Sequence, residues 1–273
     1  MAFAATNINV VRLRVLDPAT WQYLPATAPD RVITDFERLF DLHQPKLVIF
    51  GAPDNPTSQI LPQTVVDAIR ERTAQAGAWL AIDFAYKCQF FDTPPAYYSW
   101  SPADHPHVIG IHSNSKWGRG LGRRLGWIEA APDVIDAVER VQQCSLLCAD
   151  TLSQMAMTRF VKRAVGDGSL QRYVAHWNAA YRDAARITAE AVDEYLQRPR
   201  LESMGGLYTV VDIGSDADAF VPRALQSTGV LVVPGRGFGP SLAHGVRISY
   251  GPLVMNTEKI REGLERLGRW MRT

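Results

Sequence analysis

Short runs of β-branched and aromatic residues alternate with amphipathic helical segments through the first half of the chain. Lys46–Phe50 (KLVIF), Trp79–Asp83 (WLAID) and His107–His112 (HVIGIH) have the length and composition of buried strands. A helical segment from Pro62 to Ala76 separates the first two, and Gly77 follows it as a stop signal. Strands that alternate with helices in this way pair in parallel, because each helix returns the chain to the same end of the sheet. The pattern therefore predicts an α/β fold with a mostly parallel sheet.

The remaining segments predict a change of architecture towards the C-terminus. Asn9–Leu16 (NVVRLRVL) has the composition of a strand, and Ile33–Leu42 that of a helix. After Pro132 the period is helical, with one or two helices over 133–165 and one long helix over 170–196. Further strands are predicted at 207–213, 229–233 and 245–250, with helices at 218–227 and 257–271. We therefore predict a large domain over 1–168, a connecting helix over 169–197 and a small α/β domain over 198–273.

Composition argues against several classes of partner. The chain has 29 Lys and Arg against 28 Asp and Glu, a formal net charge of +1 that gives no reason to expect nucleic acid. No apolar run reaches the roughly 18 residues of a membrane span, and the first residues do not resemble a signal peptide. Three cysteines are typical of a reduced, cytoplasmic protein. No further Cys or His completes a metal-ligand set with Cys144 and Cys148, so no metal is expected.

Polar side chains follow the predicted strands, where parallel sheets bind ligands. The segment DNPT (54–57) comes after KLVIF, DFAY (83–86) ends WLAID, and SNSK (113–116) follows HVIGIH. Arg247 lies inside the predicted strand GVRISY. Each has an ordinary structural interpretation when taken alone: a turn, a helix cap, a solvated lysine and an ion pair with a nearby carboxylate such as Glu258. Only their combination and order indicate a shared site.

The glycines after Lys116 raise a second interpretation, a dinucleotide-binding loop. They occupy Gly118, Gly120 and Gly122, a G-x-G-x-G spacing that differs from the dinucleotide fingerprint G-x-G-x-x-G. No helical period follows at once, and no acidic residue ends a strand about 20 residues further on. The sequence therefore does not favour this interpretation.

The order NP, D-x-A-Y, S-x-S-K, a lysine-loop arginine and a C-terminal arginine resembles aminotransferases of classes I and II. These are fold type I enzymes that use pyridoxal 5'-phosphate (PLP). Asn55 and Asp83 are 28 residues apart, and Asp83 and Lys116 are 33 apart, which leaves room for one helix and one strand each time. Arg124 follows Lys116 by 8 residues. The resemblance implies a PLP-transferase-like sheet with helices on both faces and a small C-terminal domain.

The resemblance also implies a role for each site residue. Lys116 would form a Schiff base with the cofactor aldehyde and later move a proton at the substrate's α-carbon. Asp83 would keep the pyridine nitrogen protonated, while Tyr86 and Asn55 would hydrogen-bond the ring's phenolic oxygen. The phosphate would be held by Ser113, Ser115 and Arg124. Arg247, together with Asn55, would bind the substrate, and the Arg247 guanidinium would hold its α-carboxylate.

One departure from the family pattern concerns its front portion. In relatives that portion carries a phosphate-binding turn at a helix N-terminus and an aromatic residue that stacks on the cofactor ring. We recognise neither here, because the chain begins at what resembles the following strand, Asn9–Leu16. The sequence thus predicts an incomplete large domain, whose PLP site would be weakened or completed by another chain.

These observations leave three functions open. The leading one is a PLP-dependent aminotransferase of cytoplasmic amino-acid metabolism, acting on an α-amino acid and a 2-oxo acid as a homodimer. The second is other PLP chemistry by a cyclase, decarboxylase or lyase, because GVLVVPGRGFG and GVRISYG resemble biosynthetic cyclases that make capreomycidine. The third is a truncated or partner-dependent protein of the same fold with little activity.

Overall fold

A computed structural model describes residues 8–118 and 124–273. Within these residues the helices are α1 (Leu24–Thr27), α2 (Pro29–His43), α3 (Gln63–Gln75), α4 (Pro132–Ser145), α5 (Thr151–Gly166), α6 (Ser169–Ala191), α7 (Ala217–Thr228) and α8 (Glu258–Met271). The strands are β1 (Leu47–Gly51), β2 (Trp79–Asp83), β3 (Val108–Ser113), β4 (Gly126–Glu129), β5 (Tyr208–Asp212), β6 (Val233–Pro234) and β7 (Gly245–Ser249). None of the helices in this part of the chain has the length and apolar character needed to cross a membrane.

The first sheet has the strand order β1-β2-β3-β4. The first three strands are parallel, as predicted, because α3 and the segment after β2 return the chain to the same end. β4 is antiparallel to β3 and was not predicted. Gly51 pairs with Asp83, and Asp83 pairs with Ile111, so the three parallel strands end at nearly the same level. The loops that follow them therefore meet at one edge.

One face of this sheet forms the first hydrophobic core. Leu80 and Ile82 of β2 point to this face and pack with the helices α2 and α3. α2 contributes Val32, Phe36 and Phe40, which recur every four residues on one side of the helix. The opposite face is different in the described residues: three large apolar side chains on it are substantially exposed, Leu47 (44%), Ile49 (49%) and Trp79 (36%).

The strand predicted at Asn9–Leu16 does not form, and this prediction was wrong. Residues 8–15 have no ladder partner in the described part of the chain, and Leu16 makes only an isolated bridge to Tyr23. Leu13 and Val15 still pack against the first core, whereas Val10 stays exposed. A strand is stabilised by the hydrogen bonds and side chains of its neighbour, which the composition of a single segment does not supply.

The middle of the chain is helical, as predicted. The segment 133–165 forms two helices, α4 and α5, and the long helix after residue 169 ends in a single π-helical turn, Val192–Leu196. No residue of α4 is buried. Five apolar side chains in α4, in α5 and in the segment that joins them, here called the α4–α5 patch, are 66–79% exposed: Val141, Leu146, Leu147, Leu152 and Met155.

The second sheet is antiparallel, with the order β5-β7-β6. It is covered by α6, α7 and α8 and forms the second core around Val211, Val246 and Leu267. The strand predicted at 229–233 lies later and is only two residues long, Val233–Pro234. β5 also contributes to the first core through Val210, so the two sheets share packing. The domain limits at residues 168 and 197 stay predictions.

Candidate active site

The turn after β1 presents Asn55. The carboxylate of Asp54 accepts a 2.6 Å hydrogen bond from the Thr57 hydroxyl and a 3.3 Å bond from the Thr57 N–H, which close the turn. Burial raises the pKa of Asp54, and the bonds from Thr57 oppose that rise. Asn55 is exposed at the tip of this turn. Its position is thus fixed by a local Asx-type turn, of the kind that Asp and Asn favour.

The turn after β2 places Tyr86. The Oδ1 atom of Asp83 accepts a 2.9 Å hydrogen bond from the N–H of Ala85, so Asp83 closes the turn while its side chain stays exposed at the sheet edge. Tyr86, three residues later, is buried with 7% of its surface exposed. The motif DFAY therefore delivers a carboxylate and a phenol to the same edge, as the sequence predicted.

The loop after β3 places Lys116. The Ser113 hydroxyl oxygen accepts a 3.1 Å hydrogen bond from the N–H of Ser115, which is buried. The Nζ atom of Lys116 lies 5.4 Å from the centre of the Tyr86 ring. The predicted lysine and the predicted phenol are therefore neighbours, although 30 positions separate them.

Arg124 is exposed and has a left-handed backbone conformation with φ +53°. Such a conformation is uncommon for residues other than glycine, asparagine and aspartate. Gly120 and Gly122, two of the glycines between Lys116 and Arg124, lie within 119–123, which is outside the described residues. The role of Arg124 at a phosphate, and those of Ser113 and Ser115, stay predictions.

Arg247 reaches the first sheet from β7 in the second. Its Nη1 atom donates a 2.8 Å hydrogen bond to the Oδ1 atom of Asn55. Its guanidinium carbon lies 4.2 Å from the centre of the Tyr208 ring and 5.1 Å from that of Phe238. The Nε atom of Arg247 is buried and has no hydrogen-bond partner in the described residues. In the described residues Arg247 makes no ion pair with Glu258, and its guanidinium instead contacts two aromatic rings.

Tyr208, which the sequence did not single out, joins these groups. Its hydroxyl lies 3.0 Å from the hydroxyl of Tyr86, and the two rings meet edge to face at 5.8 Å and 75°. Burial raises the pKa of Tyr86 well above its ordinary value, and the bond to Tyr208 adds to the rise. Tyr86 is therefore a neutral phenol near pH 7.

The two sheets meet at a seam formed by the segment before β5. Met204 donates from its N–H to the Ser58 carbonyl at 3.0 Å, and Gly206 donates to the Gln89 carbonyl at 2.8 Å. A Cβ on Gly205 would stand 2.3 Å from the Gln89 carbonyl oxygen, and one on Gly206 would stand 2.7 Å from the Ser58 hydroxyl oxygen. Gly206 also has φ +65°. The close approach of these backbones brings Tyr208 to Tyr86.

A second group of polar side chains lies beside the site on β3 and β4. The imidazole of His112 is stacked between Phe84, at 5.4 Å and 23°, and Trp127, at 4.8 Å and 3°. A carboxylate oxygen of Glu129 lies 3.3 Å from His112 Nε2, but the geometry is not that of a hydrogen bond. Burial lowers the pKa of His112, and the positive charge of the neighbouring Lys87 lowers it further. These two effects outweigh Glu129, which raises the pKa.

Comparison with known proteins agrees with the fold and the motifs. The family model "Aminotransferase class I and II" matches residues 6–267. The chain is 26% identical over 225 residues to the arginine–pyruvate transaminase of Pseudomonas aeruginosa, covering 81% of this chain and 55% of the relative. It is 27% identical over 233 residues to the valine–pyruvate aminotransferase of Mycobacterium tuberculosis, covering 82% and 56%.

Solved structures show the same architecture. The aromatic aminotransferase from Pyrococcus horikoshii superposes with a TM-score of 0.77 at 22% identity, over 88% of this chain and 63% of that protein. The chain thus spans little more than half the length of the curated relatives it matches. Because the family model covers nearly all of its residues, the chain belongs to the class I and II aminotransferase family.

Proposed function

We propose that this chain provides the lysine-bearing part of a PLP-dependent aminotransferase, which transfers the amino group of an α-amino acid to a 2-oxo acid. The observation that carries the proposal is the continuous series of contacts from Asn55 through Arg247, Tyr208 and Tyr86 to Lys116. This series brings residues from both sheets to the carboxyl edge of the parallel strands. Ligands of α/β proteins bind at that edge.

The described residues fit PLP by their chemistry. A primary amine, Lys116, lies beside a neutral phenol, Tyr86, and a carboxylate, Asp83, ends the strand next to the lysine strand. The buried Nε atom of Arg247 lacks a hydrogen-bond partner in the described residues, as expected for a group that meets an anionic ligand. When bound, PLP supplies an electron-accepting ring that stabilises negative charge at the substrate's α-carbon.

The roles of the individual residues follow from their chemistry. Lys116 would hold the cofactor covalently and, once released, move a proton at the α-carbon as a general base and acid. Asp83 would favour the protonated ring nitrogen by its negative charge. Tyr86 and Asn55 would face the phenolic oxygen, and Ser113, Ser115 and Arg124 would bind the phosphate.

Arg247 would bind the substrate's α-carboxylate. The guanidinium is planar and presents parallel N–H groups that match a carboxylate. Its bond to Asn55 and its position against the Tyr208 ring fix the plane of this fork before a substrate arrives. A fixed fork aligns the α-carbon bonds with the cofactor, which is a positioning effect on the rate.

Assembly and location are further parts of the proposal. The α4–α5 patch supports a homodimer, because it exposes five large apolar side chains within 15 residues of sequence, and concentrated apolar surface is typical of protein–protein interfaces. The exposed free thiols of Cys144 and Cys148 support a reducing compartment such as the cytoplasm.

A PLP titration followed by a transfer assay tests the proposed function. The purified chain is titrated with PLP, and the visible absorbance of the lysine-linked cofactor is recorded against a Lys116→Ala control. Single amino acids are then supplied with pyruvate, because two of the relatives are named for that acceptor. We expect alanine to form in equal amount to the 2-oxo acid released from the donor. Cofactor binding without alanine formation from any donor would instead favour cyclase, decarboxylase or lyase chemistry if the amino acid is consumed, and a partner-dependent protein with little activity if it is not.

A further inference from the structure

We propose that Tyr208 is a positioning residue that holds Tyr86, on the cofactor side, and Arg247, on the substrate side, in a fixed relation to each other. This inference rests on the proposed aminotransferase function. It assigns to one side chain two separable contacts: a hydroxyl that meets Tyr86 and a ring that supports the guanidinium of Arg247.

Either hydroxyl can donate in the contact between Tyr208 and Tyr86, and the inference assigns the donor role to Tyr208. Each phenol has one proton to donate, and both rings are buried, so the 3.0 Å pair uses one of the two protons. When Tyr208 donates, the Tyr86 hydroxyl accepts and keeps its own proton for another acceptor. The phenolic oxygen of PLP is such an acceptor. Tyr208 would thereby orient Tyr86 towards the cofactor.

The ring contact supports the guanidinium of Arg247. The guanidinium carbon lies 4.2 Å from the centre of the Tyr208 ring, closer than to the Phe238 ring at 5.1 Å. Phe238 lies in a short helical turn after β6 and is 36% exposed, whereas Tyr208 is 9% exposed. The buried ring of Tyr208 is therefore the firmer of the two supports.

The backbone of Tyr208 is held on both sides. Its N–H donates a 3.3 Å hydrogen bond to the Ser58 hydroxyl oxygen, and its carbonyl accepts a 2.9 Å bond from the Ser203 hydroxyl. Ser58 follows the turn that carries Asn55, the other partner of Arg247. The Tyr208 ring and the Asn55 turn, the two groups that contact the guanidinium of Arg247, are thus connected through Ser58.

Two substitutions separate the contacts. Tyr208→Phe removes the hydroxyl and keeps the ring, so we expect about threefold to tenfold weaker PLP binding, the usual effect of one lost hydrogen bond. We also expect a shifted midpoint when the absorbance of the bound cofactor is titrated with pH, and a KM for the amino acid within about twofold of the wild-type value. Tyr208→Leu removes both contacts, and the KM should then rise roughly tenfold as well.

Tyr98→Phe is the matched control. Tyr98 is also buried, but its hydroxyl has no hydrogen-bond partner in the described residues, so the same change there should leave PLP affinity and the pH midpoint unaltered. The inference is overturned if the wild-type protein forms a lysine-linked cofactor and the Tyr208→Phe variant has the same PLP affinity and the same pH midpoint. The proposed function would still stand in that case. Absence of any lysine-linked cofactor in the wild-type protein would overturn both.

Discussion

Arg247 of β7 donates a 2.8 Å hydrogen bond to the side-chain oxygen of Asn55, a residue 192 positions earlier in the chain. The bond joins the antiparallel sheet to the turn at the edge of the parallel sheet. It leaves the Nε atom of Arg247 buried and without a partner in the described residues. A buried donor in this state is unfavourable by about 1–3 kcal/mol, which a carboxylate ligand would relieve.

Replacement of Arg247 by lysine should therefore impair substrate binding. Lysine keeps the charge but loses the planar fork, so we expect the KM for the amino acid to rise at least about tenfold, or roughly 1.4 kcal/mol. Steady-state kinetics measure this. Arg236→Lys is the control, since Arg236 pairs with Asp216 and Asp218 on the surface, where an exposed ion pair contributes little to stability. Unchanged amino-acid kinetics in Arg247→Lys would exclude the carboxylate role.

Lys116 should be the only lysine that carries the cofactor. Borohydride reduction of the PLP-loaded protein, followed by peptide mapping, should place the label on the peptide that contains Lys116. Lys87 is a demanding control, because its amine lies 4.5 Å from the Phe84 ring centre and burial lowers its pKa. Lys87→Ala should keep the label and Lys116→Ala should lose it. Label on Lys87 in the wild-type protein would contradict the assignment.

Asp83→Asn separates the charge of Asp83 from its role in the turn. The asparagine oxygen can still accept the hydrogen bond from the Ala85 N–H, so the turn and Tyr86 should stay in place. The carboxylate charge is lost, and turnover should fall by orders of magnitude with weaker PLP binding. Thermal unfolding of the cofactor-free variant should match that of the wild type. Retained turnover would count against the whole proposed site.

The sequence anticipates what local patterns determine. β2 is predicted with its observed limits, Trp79–Asp83, because an apolar run ends at an aspartate that starts a turn. Asn55, Asp83, Tyr86 and Lys116 follow from motifs that lie directly after strands. Each of these features depends on the few residues around it.

The features that were missed depend on distant partners. Tyr208 lies inside a strand pattern and is indistinguishable there from a core residue, since its contact with Tyr86 spans 122 positions. β4 has only four residues, all of them exposed, so no alternation reveals it. The segment 9–16 has the composition of a strand but no neighbour to pair with in the described residues. Pairing is a tertiary property that composition does not encode.

His112 should make the protein less stable in mild acid. Its pKa in the folded state is lowered, chiefly by burial, so the unfolded chain takes up a proton first as the pH falls through about 6.5. The free energy of unfolding should decrease from there and level off once the folded state is protonated too. Urea unfolding at pH 8 and at pH 5.5 measures the loss. His112→Phe keeps the stacking and removes the titration, so it should lose less stability over this interval; an equal loss would contradict the prediction.

The α4–α5 patch should mediate association. Light scattering at micromolar concentration should give the mass of a dimer, and Leu152→Glu should shift it towards the monomer. Leu152 lies in the first turn of α5, where a negative charge favours the helix, so the fold itself should not suffer. Met255→Glu, at a residue 75% exposed and outside the patch, should leave the dimer intact. A wild-type monomer would refute the proposed homodimer.

The close approach at Gly205 and Gly206 restricts how this protein can diverge. A methyl group on Gly205 would collide with the Gln89 carbonyl oxygen, and one on Gly206 would collide with the Ser58 hydroxyl. The Gln89 carbonyl belongs to the backbone, so no substitution of Gln89 would remove the first collision. A single replacement of Gly205 or Gly206 would therefore move Tyr208 away from Tyr86, so we expect it to impair the site. New substrate preferences are more accessible through side chains that surround Arg247, such as Phe238, than through the seam. Evolutionary variation should accordingly be concentrated in the rim of the site, while the paired glycines change rarely.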